Sequence, residues 1–162
     1  METIQIKLDV LILFGTSIIV SNVNYIIASE NTMGGDPELK NSVVGQAYAM
    51  RAFAYYYLIQ LYQQTYKGHE DAPGVPLYTG ATVAGSEGSP RGTVQGVYTQ
   101  INSDIEKAID LLGSISNKVQ THVSHIDYYV ANGIKARICL TQHDYAGAAT
   151  AAAEALKKPS LK

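Results

Sequence analysis

Between Gly45 and Gly68 the chain reads GQAYAMRAFAYYYLIQLYQQTYKG, with three consecutive tyrosines among five in fifteen residues. A tyrosine ring can cover the C–H face of a sugar while its hydroxyl stays wet, or it can fill a helix core. Helical periodicity separates the two uses. Stepping about 100° per residue, Gln46, Gln60, Gln63, Gln64 and Lys67 fall in one arc that must face water. Tyr48, Ala52, Tyr55, Ile59, Tyr62 and Tyr66 form a seam on the opposite side, continued by Ala54, Leu58 and Leu61, so Tyr48, Tyr55 and Tyr62 read as core. Tyr56, with Phe53 near the edge of the wet arc, projects outward and is a candidate stacking ring. Arg51 falls inside the apolar arc, where an unpaired guanidinium would cost several kcal/mol. It is therefore predicted to be buried and paired in a structural role, with Asp104 or Glu106 as partner.

The second candidate region is GHEDAPGVPLYTGATVAGSEGSPRG, Gly68 to Gly92. Its glycines and prolines forbid a continuous helix, and connections of this length are commonly functional. Tyr78 is its one aromatic and the preferred ligand-contacting residue. His69, Glu70 and Asp71 have metal-ligand chemistry, but adjacent residues rarely converge on one ion, and a solvated turn is the plainer reading. His122 and His125 lack a third ligand at a recognisable spacing. The glycines match neither phosphate-cradling pattern. With one cysteine and scattered histidines, the sequence offers no nucleophile, base and orienting group, which points to a non-catalytic protein with no cofactor and no metal.

The elements that must position these residues are helices. The 162 residues suffice for a single domain spanning 1–162, and a charge of -2 without a Lys/Arg cluster excludes nucleic acid as a partner. The first segment, METIQIKLDVLILFGTSIIVSNVNYIIA, carries Asp9 and scattered polar residues that argue against a membrane span; Ile4, Leu8, Leu11, Ile18, Val23 and Ile26 recur at helical intervals, although its β-branched content also permits a strand up to residue 23. A second helix starts at Asp36-Pro37 and is predicted to reach Tyr66. A third, capped by Thr93 and stopped by Gly113, places Val94, Val97, Tyr98, Ile101, Ile105, Ala108, Ile109 and Leu112 on one stripe. Two more, from about Ile126 to Gln142 and from Asp144 to about Lys158, form a hairpin turning at His143. Ala136, Ala148, Ala152 and Ala155 fall at offsets where tetratricopeptide repeats use small side chains to let helices approach. The expected fold is all-α, with about five main helices in tetratricopeptide-like hairpins and a long loop over 68–92.

Asn24 followed by Ile26-Ile27, then GQAYAMRAFAYYYLIQLY, GVPLYT, RGTVQGVYTQINSDIEKAIDLL and ANGIKARICLTQHDYAGAATAAAEAL, in that order, resemble the ordered blocks of the SusD/RagB family of Bacteroidetes cell-surface lipoproteins. The resemblance covers roughly Asn24 to Leu156. It implies a tetratricopeptide-like scaffold at the outer membrane that binds oligosaccharide or polysaccharide such as starch, without catalysis, and acts in nutrient uptake with a SusC-like TonB-dependent transporter. Family members are longer, often use Trp at their sugar sites and carry a lipid-anchor cysteine, so this chain looks like a piece of such a protein. The alternative is a tetratricopeptide-like protein-interaction scaffold without its own sugar site.

Overall fold

The computed structural model describes residues 16–83, 85, 87–119, 122 and 124–159. The expectation for the first part of the N-terminal helix, including Ile4, Leu8 and Leu11, lies outside the described residues. Helix α1 covers 16–28 and buries Val20, Val23 and Asn24, while Ile18 and Ile19 face outward. Helix α2, Pro37–Tyr62, begins as its sequence dictates: the Asp36 carboxylate accepts from the N–H groups of Glu38 and Leu39, and Pro37 occupies the first turn. It ends four residues before Tyr66. Gln63 is already extended, and Tyr66 leaves the helix to pack edge-on against Tyr98, with ring centroids 4.8 Å apart.

After α2 the chain forms two short strands, β1 (Pro73–Pro76) and β2 (Arg91–Thr93), paired antiparallel with Pro73 opposite Thr93 and Pro76 opposite Arg91. Within the described residues these are the only strands. A Cβ on Gly74 would lie 2.6 Å from the Thr93 carbonyl oxygen, so this crossing admits only glycine. Thr93 then caps helix α3, Val94–Gly113, its Oγ1 accepting from Gly96 N at 3.0 Å. Helices α2 and α3 form the main layer. Gly45 allows their close approach, since a Cβ there would meet Leu112 Cγ at 2.9 Å. The core between them holds Ala52, Tyr55, Ile59, Val97, Ile101, Ile105 and Leu112.

Helices α4 (Tyr128–Thr141) and α5 (Tyr145–Ala155) pack on each other, and α4 packs on α3. Asp127 caps α4 by accepting from Val130 N at 2.8 Å and meets Lys158 Nζ at 2.7 Å beyond the end of α5, which clasps the two helices. The turn passes through His143, the one non-glycine with positive φ among the described residues, at 62°. Ala136 and Ala148 are buried as small seam residues, but the third close contact is Ala151, 3% exposed, rather than the half-buried Ala152. The inward face of α5 is thus rotated by one residue from the expected register. Cys139 is buried on α4, and burial pushes its thiol up from the ordinary value. None of the described helices is long and apolar enough to cross a membrane.

Candidate functional site

The long loop is fixed by buried polar groups from three helices. Arg51 on α2 is 4% exposed; its Nε and Nη2 donate to the two oxygens of Asp104 on α3 at 2.7 and 2.6 Å. Gln100 adds a donor to Asp104 Oδ1 at 2.9 Å. Arg51 Nη1 donates to Asn24 Oδ1 on α1 and to the Thr79 carbonyl of the loop, both at 2.9 Å. Asn24 Nδ2 in turn donates to the carbonyls of Tyr78 and Gly80, at 2.8 and 3.1 Å. This bidentate geometry satisfies a charge pair that would otherwise be costly to bury. Glu106, the other sequence candidate for Arg51, pairs with Lys135 instead.

Tyr55 completes the anchor. Its hydroxyl accepts from Tyr78 N at 2.6 Å and donates to Tyr78 O at 3.1 Å, gripping the loop backbone much as a neighbouring strand would. Burial holds the Tyr55 phenol above its ordinary pKa, the main influence on it, and the nearby Arg51 charge acts in the opposite direction. Tyr25, from α1, hydrogen-bonds the Thr82 carbonyl.

Held in this way, Tyr78, 38% exposed, lines a cavity of about 410 Å³. Val20, Leu58 and Val75 supply the apolar wall, and Tyr55, Tyr62, Gln63 and Arg91 add polar or aromatic surface. Arg91 Nε donates to Gly74 O at 2.8 Å, which ties its guanidinium to β1. The Tyr78 hydroxyl accepts from Ser89 N at 3.2 Å, linking both ends of the loop. An open, mostly apolar cavity with a few hydrogen-bonding groups and exposed aromatic surface suits a neutral polyhydroxyl ligand: ring faces take C–H groups, while amide, hydroxyl and guanidinium take hydroxyls.

The two candidate rings have different surroundings. Tyr56 is 4% exposed and belongs to the core. Helix α4 crosses this side of α2 and brings Arg137 over the ring, guanidinium carbon to centroid 5.7 Å, so the surface that a single-helix projection assigns to water is covered. Leu61, expected inside, is 53% exposed. Tyr62 is half-buried and lines the cavity. Tyr62, Gln63 and Arg91 were missed in sequence because their shared surface forms only where α2 ends against the β1–β2 pair. The signal available for them was the Gly/Pro loop directly downstream of the tyrosine-rich helix.

His69 hydrogen-bonds the Thr65 carbonyl through Nδ1 at 3.0 Å, closing a turn, and the His122 and His125 rings lie 5.5 Å apart on an exposed segment. Among the described residues, no three of His, Cys, Asp and Glu converge in a way that could hold a metal ion.

Comparison with known proteins places this arrangement. Residues 17–140 match the family model for SusD-like proteins, described as starch-binding and associating with the outer membrane. A SusD-like carbohydrate binding protein of Bacteroides vulgatus superimposes with a TM-score of 0.84 at 28% identity, over 93% of this chain and 31% of that one. A SusD superfamily protein of Bacteroides fragilis gives a TM-score of 0.75 at 28% identity, over 89% of this chain and 34% of that one. A laminarin binding SusD-like protein, at 19% identity and a TM-score of 0.68 over 86% of this chain and 28% of that one, shares the fold. No curated protein sequence matches the chain. The chain thus spans about a third of the length of the solved structures it matches. A model match over most of its residues, together with the helical fold they adopt, makes the chain a member of the SusD-like family.

Proposed function

We propose that this chain takes part in non-catalytic capture of neutral oligosaccharide at the cell surface, as the helical portion of a longer glycan-binding protein that passes its ligand to a TonB-dependent outer-membrane transporter. The observation that carries the reading is the cavity beside Tyr78. The backbone of Tyr78 is fixed by Asn24 and Tyr55, so the anchoring of the loop there does not depend on the ring, whose hydroxyl takes a single hydrogen bond from Ser89 N and which belongs to a partly exposed residue. Family membership supports the ligand class.

Isothermal titration calorimetry with maltohexaose and laminarihexaose, on the wild-type chain and on Tyr78→Ala, tests the proposal. Loss of at least tenfold in affinity, about 1.4 kcal/mol, with an unchanged melting temperature is expected. Retained affinity with a lowered melting temperature would return Tyr78 to a packing role.

A second reading, a helical interaction scaffold without a sugar site, draws on a different surface. Ile19 of α1 and Met50, Phe53, Tyr57 and Leu61 of α2 line an almost wholly apolar cavity of about 470 Å³. On that reading neither hexaose binds, while the purified chain retains affinity for the transporter.

A further inference from the structure

We infer that a second sugar subsite lies beyond Gln63 from the Tyr78 cavity, in the cleft between the end of α2 and the α4–α5 turn. The inference rests on the oligosaccharide reading above and extends it from one ring to a track. A cavity of about 300 Å³ opens there, lined by Gln60, Gln63, Gln64, Tyr66, Tyr98 and His143, with two threonines. Gln63 lines both cavities, so the two sites are contiguous at that side chain.

The chemistry of this cleft is selective. No Asp, Glu, Lys or Arg lines it, and three primary amides supply both donors and acceptors. Gln60 spends its Nε2 on the Tyr56 carbonyl at 2.8 Å. The side-chain amides of Gln63 and Gln64 form no hydrogen bond with any other described residue. Tyr66, half-buried and held edge to face against the buried Tyr98, gives the cleft its aromatic surface. Amides beside aromatic carbon are the surface that a ring with polar edges and C–H faces requires.

His143 supplies an independent argument. It sits just past the C-terminus of α4 with φ 62°, in the left-handed conformation that helix ends ordinarily assign to glycine. A β-carbon there costs stability that glycine would not. The chain keeps a histidine here: the residue lines the cleft, and its imidazole stacks on the exposed Tyr145 ring, 5.9 Å between centroids at 18°. An unfavourable backbone conformation at a cavity wall is the kind of observation that points to use.

The test is backbone-amide NMR of the whole chain titrated with maltohexaose and with laminarihexaose, with affinities and melting temperatures for His143→Gly and Gln64→Ala. The expected result is that amides of 64–66 and 141–143 shift together with those of 77–79. Affinity should fall at least fivefold in each variant, and the melting temperature of His143→Gly should be equal to or above wild type. If shifts stay near Tyr78 and both variants bind as wild type, the subsite is overturned and the capture reading stands. If neither glycan shifts any amide, both fall. Should His143→Gly lower stability and affinity together, Gln64→Ala decides: weakened binding upholds the subsite and unchanged binding overturns it.

Discussion

Arg51 is buried at the meeting point of two helices and a loop, and its cost of burial is offset only because every partner is present. Arg51→Met would leave the Asp104 carboxylate with Gln100 as its one remaining side-chain donor among the described residues and should destabilise by about 3–5 kcal/mol. Urea denaturation measures this; an unchanged midpoint would mean that the pair contributes nothing net. Asn24 has a separate role, because it joins the guanidinium to two loop carbonyls. Asn24→Ala should cost about 1–3 kcal/mol and speed proteolysis between residues 80 and 90, whereas a cleavage rate equal to wild type would show the loop to be held elsewhere. The position of Arg51 within an apolar arc was legible from periodicity, while Asp104 was one of two acidic candidates for its partner, and the structure chooses it over Glu106. Asn24 was not, since an asparagine in a helix announces no acceptor until a loop more than fifty residues away is folded against it.

At the scale of elements, the starts of α2 and α3 were the most legible feature, because Asp36-Pro37 and Thr93 after Gly92 each combine a cap with a chain break that local chemistry determines, whereas the caps Asp127 and Asp144, which follow no such break, are set by the structure. The end of α2 was less so: no local breaker stands between Tyr62 and Tyr66, and packing of Tyr66 on Tyr98 decides where the helix stops. Tyr56 was misplaced for a related reason, since a helical projection reports which faces differ but not which neighbour will cover them. The hairpin of α4 and α5 gives a sharper test. Ala151→Leu should overpack the seam and cost about 1–3 kcal/mol, and Ala152→Leu should cost less than half as much because Ala152 is only half-buried. Equal shifts in melting temperature would mean that the two positions are equally close to α4.

For the molecule as a whole, tyrosines set the response to alkali. Tyr48, Tyr55 and Tyr98 all have phenol pKa values raised above 10.0, in each case chiefly by burial. A raised folded-state value means that the native state holds these protons more tightly than the unfolded chain. Their contribution is therefore complete below a pH of about 10 and is lost as pH rises through the folded-state values. Melting temperature should fall steeply above that pH, and Tyr55→Phe, already less stable at neutral pH, should fall less steeply; parallel curves would remove Tyr55 from the account. The thiol of Cys139 offers a different use of burial. Because it is the chain's one sulfhydryl and is sealed on α4, an alkylating reagent reaches it when that packing opens, so the rate of mass gain in native buffer is a built-in clock for breathing of the hairpin. If the Asp127–Lys158 clasp governs that breathing, the clock should run faster in Lys158→Ala at neutral pH, with no dye, tag or engineered probe needed to read it.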